Sequence, residues 1–342
     1  MKVLYLHHNQ PDYLAESLFH GLRCLLGKGC VDIPRYDSMY KPITEKMRSK
    51  LRGHGFTLYG LLEDIPELAE DRFFWKQDID SYDLIVIANI WEQWQQLWTL
   101  LSQYKLNNIV ALDGTDQPAF FPYASMKNRI QNCPLSFLTP VSKVKYFKRE
   151  LMRGGYRYGI DKYLPIWMHS WIPLAENAIP ISFSIPSEKI NAVENTQKTK
   201  DFPIHIVDLE IANNIIASKF SGTGSDSYFF QSENDYYQDL QKSRFGITTK
   251  RAGWDCLRHY ELAANGCILC FKNLNQKLST CAPHGLNESN CIIYDSYEDL
   301  INKIQSISSQ EYLQLQTMTY QWVKNNSTVA RAKEFLDSCF NT

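Results

Sequence analysis

The sequence lacks the long apolar runs that mark membrane-spanning and secreted proteins. Only four apolar residues, Val3–Leu6, separate Met1-Lys2 from His7-His8, which is too short for the apolar region of a signal peptide. No run approaches the roughly 20 apolar residues that a helix needs to cross a bilayer. We therefore expect a cytoplasmic protein without a transmembrane segment, whose contact with membranes, if any, is peripheral.

An excess of charge and a regular cysteine framework are also missing. The 36 Lys and Arg residues balance 37 Asp and Glu residues, so the formal charge of -1 gives no global attraction for nucleic acid. The nine cysteines are an odd number and are scattered, whereas disulfide and metal frameworks need regular spacing. We expect reduced thiols, no nucleic-acid partner and no cofactor.

Two signatures of ligand binding are absent or poorly placed. The loop His7–Asp12, after the first apolar run, has no glycine-rich dinucleotide fingerprint. Asp78-Ile79-Asp80 and Asp226 do not lie where an acidic metal motif would be useful. We therefore predict chemistry that is independent of a metal ion.

Strand-like apolar runs alternate with helix-like segments, and 342 residues are enough for two domains of about 150 residues each. This alternation predicts the α/β class with a parallel sheet in each half. We set the domains at residues 1–170 and 180–317, joined through the proline- and aromatic-rich stretch 163–186. The predicted strands are Val3–Leu6, Asp83–Ala88, Ile109–Leu112, Pro203–Asp208, Cys267–Phe271 and Cys291–Tyr294.

The first half offers three candidate general bases. His7 follows the first strand, and Asp113 and Asp116 follow Ile109–Leu112, so all three belong to the carboxyl edge of a parallel sheet, where ligands bind. Each also has a plainer interpretation as a hydrogen-bonded loop residue or a turn cap. The basic stretch 143–153 is either a solvated face or an edge that contacts phosphate.

In the second half, Ser243–Phe271 predicts a strand end, a basic loop, a helix and another strand. Thr249, Lys250, Arg251 and Gly253 combine a hydroxyl, two cations and a glycine directly before a helix predicted at Trp254–Asn265. The amino end of a helix behind such a loop binds anions, phosphate above all.

Glu261 lies one helical turn after Arg258 on the predicted helix. Its carboxylate could accept hydrogen bonds from the two hydroxyls of a ribose while a diphosphate contacts the start of the helix. The alternative is a partly exposed helix with a Glu–Arg pair at i,i+3 spacing. Composition leaves both interpretations open.

The same region resembles the exostosin family and the bacterial spore-maturation-type, family 1-like glycosyltransferases. The resemblance covers about 35 residues and rests on Tyr237, Leu240, Ser243–Gly246, Arg258, Glu261 and Gly266–Ile268. It implies a GT-B fold, in which two Rossmann-like domains with parallel sheets face a cleft and the second domain holds a nucleotide-sugar. It also implies that the C-terminal helix, residues 318–342, packs back on the first domain.

The resemblance and the site together predict a metal-independent glycosyltransferase of the hexosyl or a related type. The substrates would be a nucleotide-diphosphate sugar and a hydroxyl acceptor such as a glycan, and Asp116, Asp113 or His7 would act as base if the reaction inverts. A catalytically silent nucleotide- or glycan-binding scaffold and an epimerase of the same fold are the alternatives. The predicted donor-binding residues are Tyr236, Thr249, Lys250, Arg251, Gly253, Trp254, Arg258 and Glu261.

Overall fold

The computed structural model describes residues 1–8, 10–104, 107–121, 135, 139, 141–152, 178–191, 197–217 and 230–340. The chain forms two compact units. The first contains residues 1–183, 280–282 and 331–342, and the second contains residues 184–279 and 283–330. Most of the predicted crossing at 163–186 lies outside the described residues.

The first unit is built on a parallel sheet of six strands in the order β2-β1-β3-β4-β5-β6. Neighbouring strands reverse their order between β1 and β3, and such a reversal opens a crevice at the carboxyl ends of the strands. The strands are β1 (Val3–Leu6), β2 (Cys30–Ile33), β3 (Leu84–Ile87), β4 (Ile109–Asp113), β5 (Lys145–Lys148) and β6 (Ile179–Pro180).

The core of this unit comes from strands that are apolar on both faces. Every residue of β1, β3 and β4 is buried, as expected for parallel strands that are covered on both faces. Asp12 caps the first helix through the N–H groups of Leu14 and Ala15, and Gly27 ends it with φ of 55°. The helices of the unit are α1 (Tyr13–Leu26), α2 (Glu45–Arg48), α3 (Leu68–Phe74) and α4 (Ile90–Thr99), and α10, given below, contributes its residues from 331 onward.

The second unit contains a parallel sheet of three strands, β7 (Phe245–Thr249), β8 (Ile268–Lys272) and β9 (Cys291–Tyr294). Its apolar core includes Phe245 and Ile268, which are fully buried. The α-helices among the described residues of this unit are α5 (Leu209–Ala217) and α6 (Glu233–Lys242) before the sheet, then α7 (Leu257–Ala264), α8 (Tyr297–Ser306), α9 (Ser309–Asn325) and the start of α10 (Thr328–Phe340).

Three sequence predictions about elements are wrong. Residues 203–208 do not form a strand. The basic stretch that begins at Lys143 is not a solvated face, because it contains β5, in which Lys148 is fully buried. The predicted C-terminal helix at 318–342 is divided between α9 and α10, because the Asn326 side chain donates to the Trp322 carbonyl and the Thr328 N–H donates to the Ile185 carbonyl.

None of the cysteines that the structure describes is in a disulfide. Cys267 and Cys270 stand at a C-x-x-C spacing, yet both are buried, Cys267 just before β8 and Cys270 within it. Residues three apart on a strand point to opposite faces, so this pair does not form a redox or metal site. Burial raises the pKa of Cys267 to about 11, which keeps that thiol protonated at neutral pH.

Candidate functional site

The loop between β7 and α7 is longer than the sequence predicts. β7 continues through Thr249, and α7 begins at Leu257, three residues after the predicted helix start at Trp254. Cys256, the N-cap residue of α7, makes no side-chain capping hydrogen bond to the first turn. The first turn of this eight-residue helix therefore lies after the end of β7 without a side-chain cap, and its His259 N–H donates to the Cys256 carbonyl at 3.0 Å.

The side chain of His259 holds this loop in position through two hydrogen bonds. One ring nitrogen, Nε2, lies 2.9 Å from the Trp254 carbonyl, which can only accept, so Nε2 carries a proton. The other, Nδ1, lies 2.8 Å from the Thr248 hydroxyl at the end of β7. Because His259 is fully buried, it ties strand, loop and helix together without contacting solvent. This role of His259 was not predicted from the sequence.

Arg258 and Glu261 lie on α7 as predicted, and the structure adds a third residue to them. The Tyr236 hydroxyl on α6 donates to Glu261 Oε2 at 2.9 Å, so the carboxylate is held in a defined orientation. Glu261 is buried to all but 9% of its surface. Arg258 is half-buried, and its Nε and Nη1 atoms are buried without a hydrogen-bond partner among the described residues. A buried guanidinium with unused donors is costly unless an anion or polar group completes it.

The loop residues predicted to bind the donor divide into two groups. Lys250 and Arg251 are exposed, whereas Gly253 and Trp254 are buried. The Lys250 ammonium lies 5.1 Å from the centre of the Trp254 ring, a cation–π distance that brings the cation over the loop. Trp254 is therefore a packing residue whose carbonyl and ring shape the loop, while the two cations remain accessible to a ligand.

A glycine on β7 sets the distance between α7 and the sheet. A Cβ atom at Gly246 would lie 2.8 Å from the Leu262 side chain, closer than such contacts normally come. The helix therefore lies close against the strand, and Gly246 is required for that approach.

Asp113, one of the predicted bases, is engaged in an internal network. It is fully buried and lies 3.0 Å from the Lys148 ammonium. The Tyr146 hydroxyl donates to its Oδ2 atom, and the Thr115 hydroxyl donates to Oδ1 at 2.6 Å. Both carboxylate oxygens are occupied, so the geometry gives Asp113 a structural role and does not favour a base there.

The other two predicted bases differ in accessibility. His7 is 5% exposed, stacks on Tyr36 with ring centroids 3.8 Å apart, and its two ring nitrogens face the carbonyls of His8 and Pro34. Burial lowers the pKa of His7. The side chain of Asp116 is 52% exposed and pairs with the Arg149 guanidinium. Asp116 is thus the only one of the three that an acceptor could reach from solvent in this arrangement, and its base role stays a prediction.

Among the residues that the structure describes, no group of three or more His, Cys, Asp or Glu side chains could hold a metal ion. None of the described helices combines the length and the hydrophobicity that a bilayer crossing demands.

No protein-family model matches the chain, and no curated protein is significantly similar to it in sequence. Solved structures, in contrast, are similar over almost its whole length. Anabaena HepE in complex with UDP and glucose superposes with a TM-score of 0.57 at 10% sequence identity, covering 99% of each chain. HepE in complex with UDP-glucose gives 0.55 over the same coverage. A glycosyltransferase from Rickettsia africae gives 0.50 at 10% identity, covering 100% of this chain and 99% of that one.

These similarities confirm the predicted fold class. The chain has an α/β fold of the GT-B type, with a parallel sheet in each of two units. None of them is with an exostosin or a spore-maturation enzyme, so that resemblance stays a prediction.

Proposed function

We propose that the protein is a metal-independent glycosyltransferase that moves a sugar from a nucleotide-diphosphate donor to a hydroxyl acceptor. The observation that carries the proposal is the α7 site, in which Arg258 has buried donors without a partner one turn before an oriented carboxylate, Glu261. The complexes of HepE with UDP and UDP-glucose make uridine nucleotides the first donors to test.

The charges of this site suit the leaving group of such a reaction. A departing nucleoside diphosphate gains negative charge, and cations together with helix N–H groups stabilise that charge. Lys250 and Arg251 are accessible for this purpose, and Arg258 would complete its guanidinium hydrogen bonds with a phosphate oxygen. Glu261, held by Tyr236, would accept from ribose hydroxyls. In this proposal the residues named supply the stabilisation that a metal ion provides in other transferases.

The proposal is tested by titrating UDP into Arg258→Gln and Glu261→Gln variants in a calorimeter. A charged hydrogen bond contributes about 1.5–3 kcal/mol, so each variant should bind UDP about 10- to 100-fold more weakly than the parent protein. Lys303→Gln, which removes an exposed cation from α8, is the control and should leave the affinity unchanged. Equal affinity for UDP in all four proteins would refute the assignment of the site.

A silent nucleotide-binding scaffold is a second candidate, and one observation favours it. The Asp208 carboxylate already accepts from the N–H groups of Glu210 and Ile211 at the start of α5, and it lies 3.1 Å from the Lys272 ammonium. The N–H groups at the start of α5 are therefore poorly available to bind a diphosphate. Slow release of glucose from UDP-glucose would identify an enzyme, whereas tight binding without turnover of any nucleotide sugar would identify a scaffold.

A further inference from the structure

The carboxyl edge of the first sheet holds a second polar cluster, at the point where strand order reverses between β1 and β3. His8 follows β1, Asp12 caps α1, and Asn89 follows β3 and caps α4. This is the position at which an open parallel sheet has its crevice. His8 belongs neither to the α7 site nor to the predicted bases.

His8 presents a hydrogen-bond donor that is not satisfied within the protein. The Gln10 N–H donates to His8 Nδ1 at 3.1 Å, so Nδ1 carries the lone pair and the proton of the neutral ring lies on Nε2. The side chain is 9% exposed, and Nε2 has no hydrogen-bond partner among the described residues. A buried donor in this state loses its hydrogen bond to water without replacing it.

The nearest anionic atom to that donor is too far away to satisfy it. His8 Nε2 and Asp12 Oδ2 are 3.8 Å apart, beyond the range of a hydrogen bond. Asp12 does not turn freely toward the ring, because Oδ1 accepts from the N–H groups of Leu14 and Ala15 and Oδ2 accepts from Asn89 Nδ2 at 2.9 Å. A Cβ atom at Gly114 would lie 2.9 Å from Asp12 Oδ1, so the end of β4 also closes on this carboxylate.

A single oxygen atom placed about 2.8 Å from both atoms would satisfy each of them. It would have to accept from His8 Nε2–H and donate to Asp12 Oδ2, and a hydroxyl group does both. A carboxylate or phosphate oxygen fits poorly, since it would face the negative charge of Asp12 without a proton to donate. The pair therefore suits a neutral hydroxyl better than an anionic oxygen.

We propose that His8 and Asp12 form a hydroxyl-binding subsite that holds one hydroxyl group of a sugar. The identification of the hydroxyl as a sugar's rests on the proposed function, whereas the preference for a hydroxyl rests on the geometry alone. The hydroxyl would belong either to a free acceptor sugar or to the sugar of the donor.

Histidine ring NMR of the full chain tests the proposal without relying on turnover. The His8 signals are assigned by their loss in His8→Asn, whose side-chain oxygen replaces Nδ1 as the acceptor for Gln10 but which has no counterpart of Nε2. Glucose, UDP-glucose and UDP are then added separately. A shift of the His8 Nε2 signal with glucose supports an acceptor subsite, and a shift with UDP-glucose but with neither UDP nor glucose supports a donor-sugar subsite.

Two results would overturn the subsite. One is no His8 shift with either sugar compound, and the other is an equal shift with UDP and UDP-glucose, which would make the ligand the nucleotide. The proposed function is tested separately, by measuring UDP affinity with calorimetry. If the parent protein does not bind UDP, the titration with glucose still decides whether this subsite exists.

A pair of variants distinguishes direct contact from a structural effect. Asp12→Asn keeps a good helix cap but replaces a pure acceptor by an amide, so the sugar-induced His8 shift should fall several-fold while the protein stays folded. His8→Gln places an amide N–H near the Nε2 position. This variant should therefore retain more of the turnover of a nucleotide sugar than His8→Asn does. Equal turnover in the parent, His8→Gln and His8→Asn proteins would contradict the proposal.

Discussion

The two units differ in whether the buried charged groups near their strands have partners. In the first unit, Asp113 at the end of β4 and Lys148 at the end of β5 are both fully buried and satisfy each other. In the second unit, the helix that follows β7 carries Arg258, whose buried Nε and Nη1 atoms have no partner among the described residues. Position at a strand end is therefore a poor guide to function, and the decisive observation is whether a charge already has its partners.

The helix starts repeat this contrast within the second unit. Asp208 caps the first turn of α5, whereas Cys256 provides no side-chain cap for α7. A side-chain cap occupies N–H groups that bind anions, and α7 lacks such a cap, although its His259 N–H donates to the Cys256 carbonyl. Both differences favour α7 as the helix of the proposed ligand site.

The largest expected effect comes from opening the closed pair of the first unit. Lys148→Met leaves Asp113 buried without its cation, and such a change costs about 3–5 kcal/mol of stability. Burial lowers the pKa of Lys148, although Asp113 opposes that shift. Desolvation therefore already destabilises the charged form of Lys148. Urea unfolding measures the loss. Arg258→Gln is the matched control, and its unfolding free energy should change by less than about 1 kcal/mol if its partner is a ligand.

The second effect concerns Glu16 on α1, a buried carboxyl that accepts hydrogen bonds from two tyrosine hydroxyls. Burial raises the pKa of Glu16 from 4.5 to about 7, and hydrogen bonds from Tyr59 at 2.6 Å and Tyr36 at 2.9 Å oppose that shift. Asp12 adds a negative charge nearby. The protonated form therefore stabilises the fold, fully below about pH 4.5, and this contribution disappears as pH rises through 7.

Urea unfolding at a series of pH values measures this contribution. Because the pKa of Glu16 is about 7 in the folded protein and 4.5 ordinarily, stability should fall by at most about 3 kcal/mol between pH 4.5 and 8. Glu16→Gln has no titrating carboxyl and should lose this part of the pH dependence. If the two proteins follow the same pH profile, Glu16 is not the titrating group. Such a result would also weaken the view that the first unit closes its charges internally.

A smaller effect tests the close approach of α7 to its sheet. Gly246→Ala places a methyl group against Leu262, and overpacking of this kind costs about 1–3 kcal/mol. The displaced helix should also bind UDP more weakly, since Arg258 and Glu261 move with it. The compensating Gly246→Ala/Leu262→Ala protein should recover part of the affinity. Unchanged UDP binding in the single variant would separate α7 from the donor site.

Those features that depend on local pattern could be predicted from the sequence. β1 has the predicted bounds, because a continuous apolar run is a local signal. β5 was not predicted, since a strand that buries Lys148 is stable only with Asp113, 35 residues earlier in the chain. A distant partner leaves no local signal.

The candidate site shows the same limit. The spacing of Arg258 and Glu261 was readable from the sequence, but Tyr236 orients Glu261 from a different helix, and His259 fixes the loop through Thr248 and Trp254. His7 and His8 look equivalent in sequence. Only the structure shows that the ring of His7 faces two carbonyls while His8 keeps an unused donor.

The smallest expected effect on stability belongs to Asp116, and it makes this residue the cleanest test of base catalysis. The Asp116 carboxylate is half-exposed, and its partner Arg149 also pairs with Glu150 and donates to the Gly114 carbonyl at 3.1 Å. Asp116→Asn should therefore lower the free energy of unfolding by less than about 1 kcal/mol, as for other exposed ion pairs. If Asp116→Asn loses more turnover than this small loss of stability explains, and its UDP affinity is unchanged, the defect lies in proton transfer rather than in folding. Turnover equal to that of the parent protein would remove Asp116 as the base and leave the first unit with Asp12 as the carboxylate nearest to a bound hydroxyl.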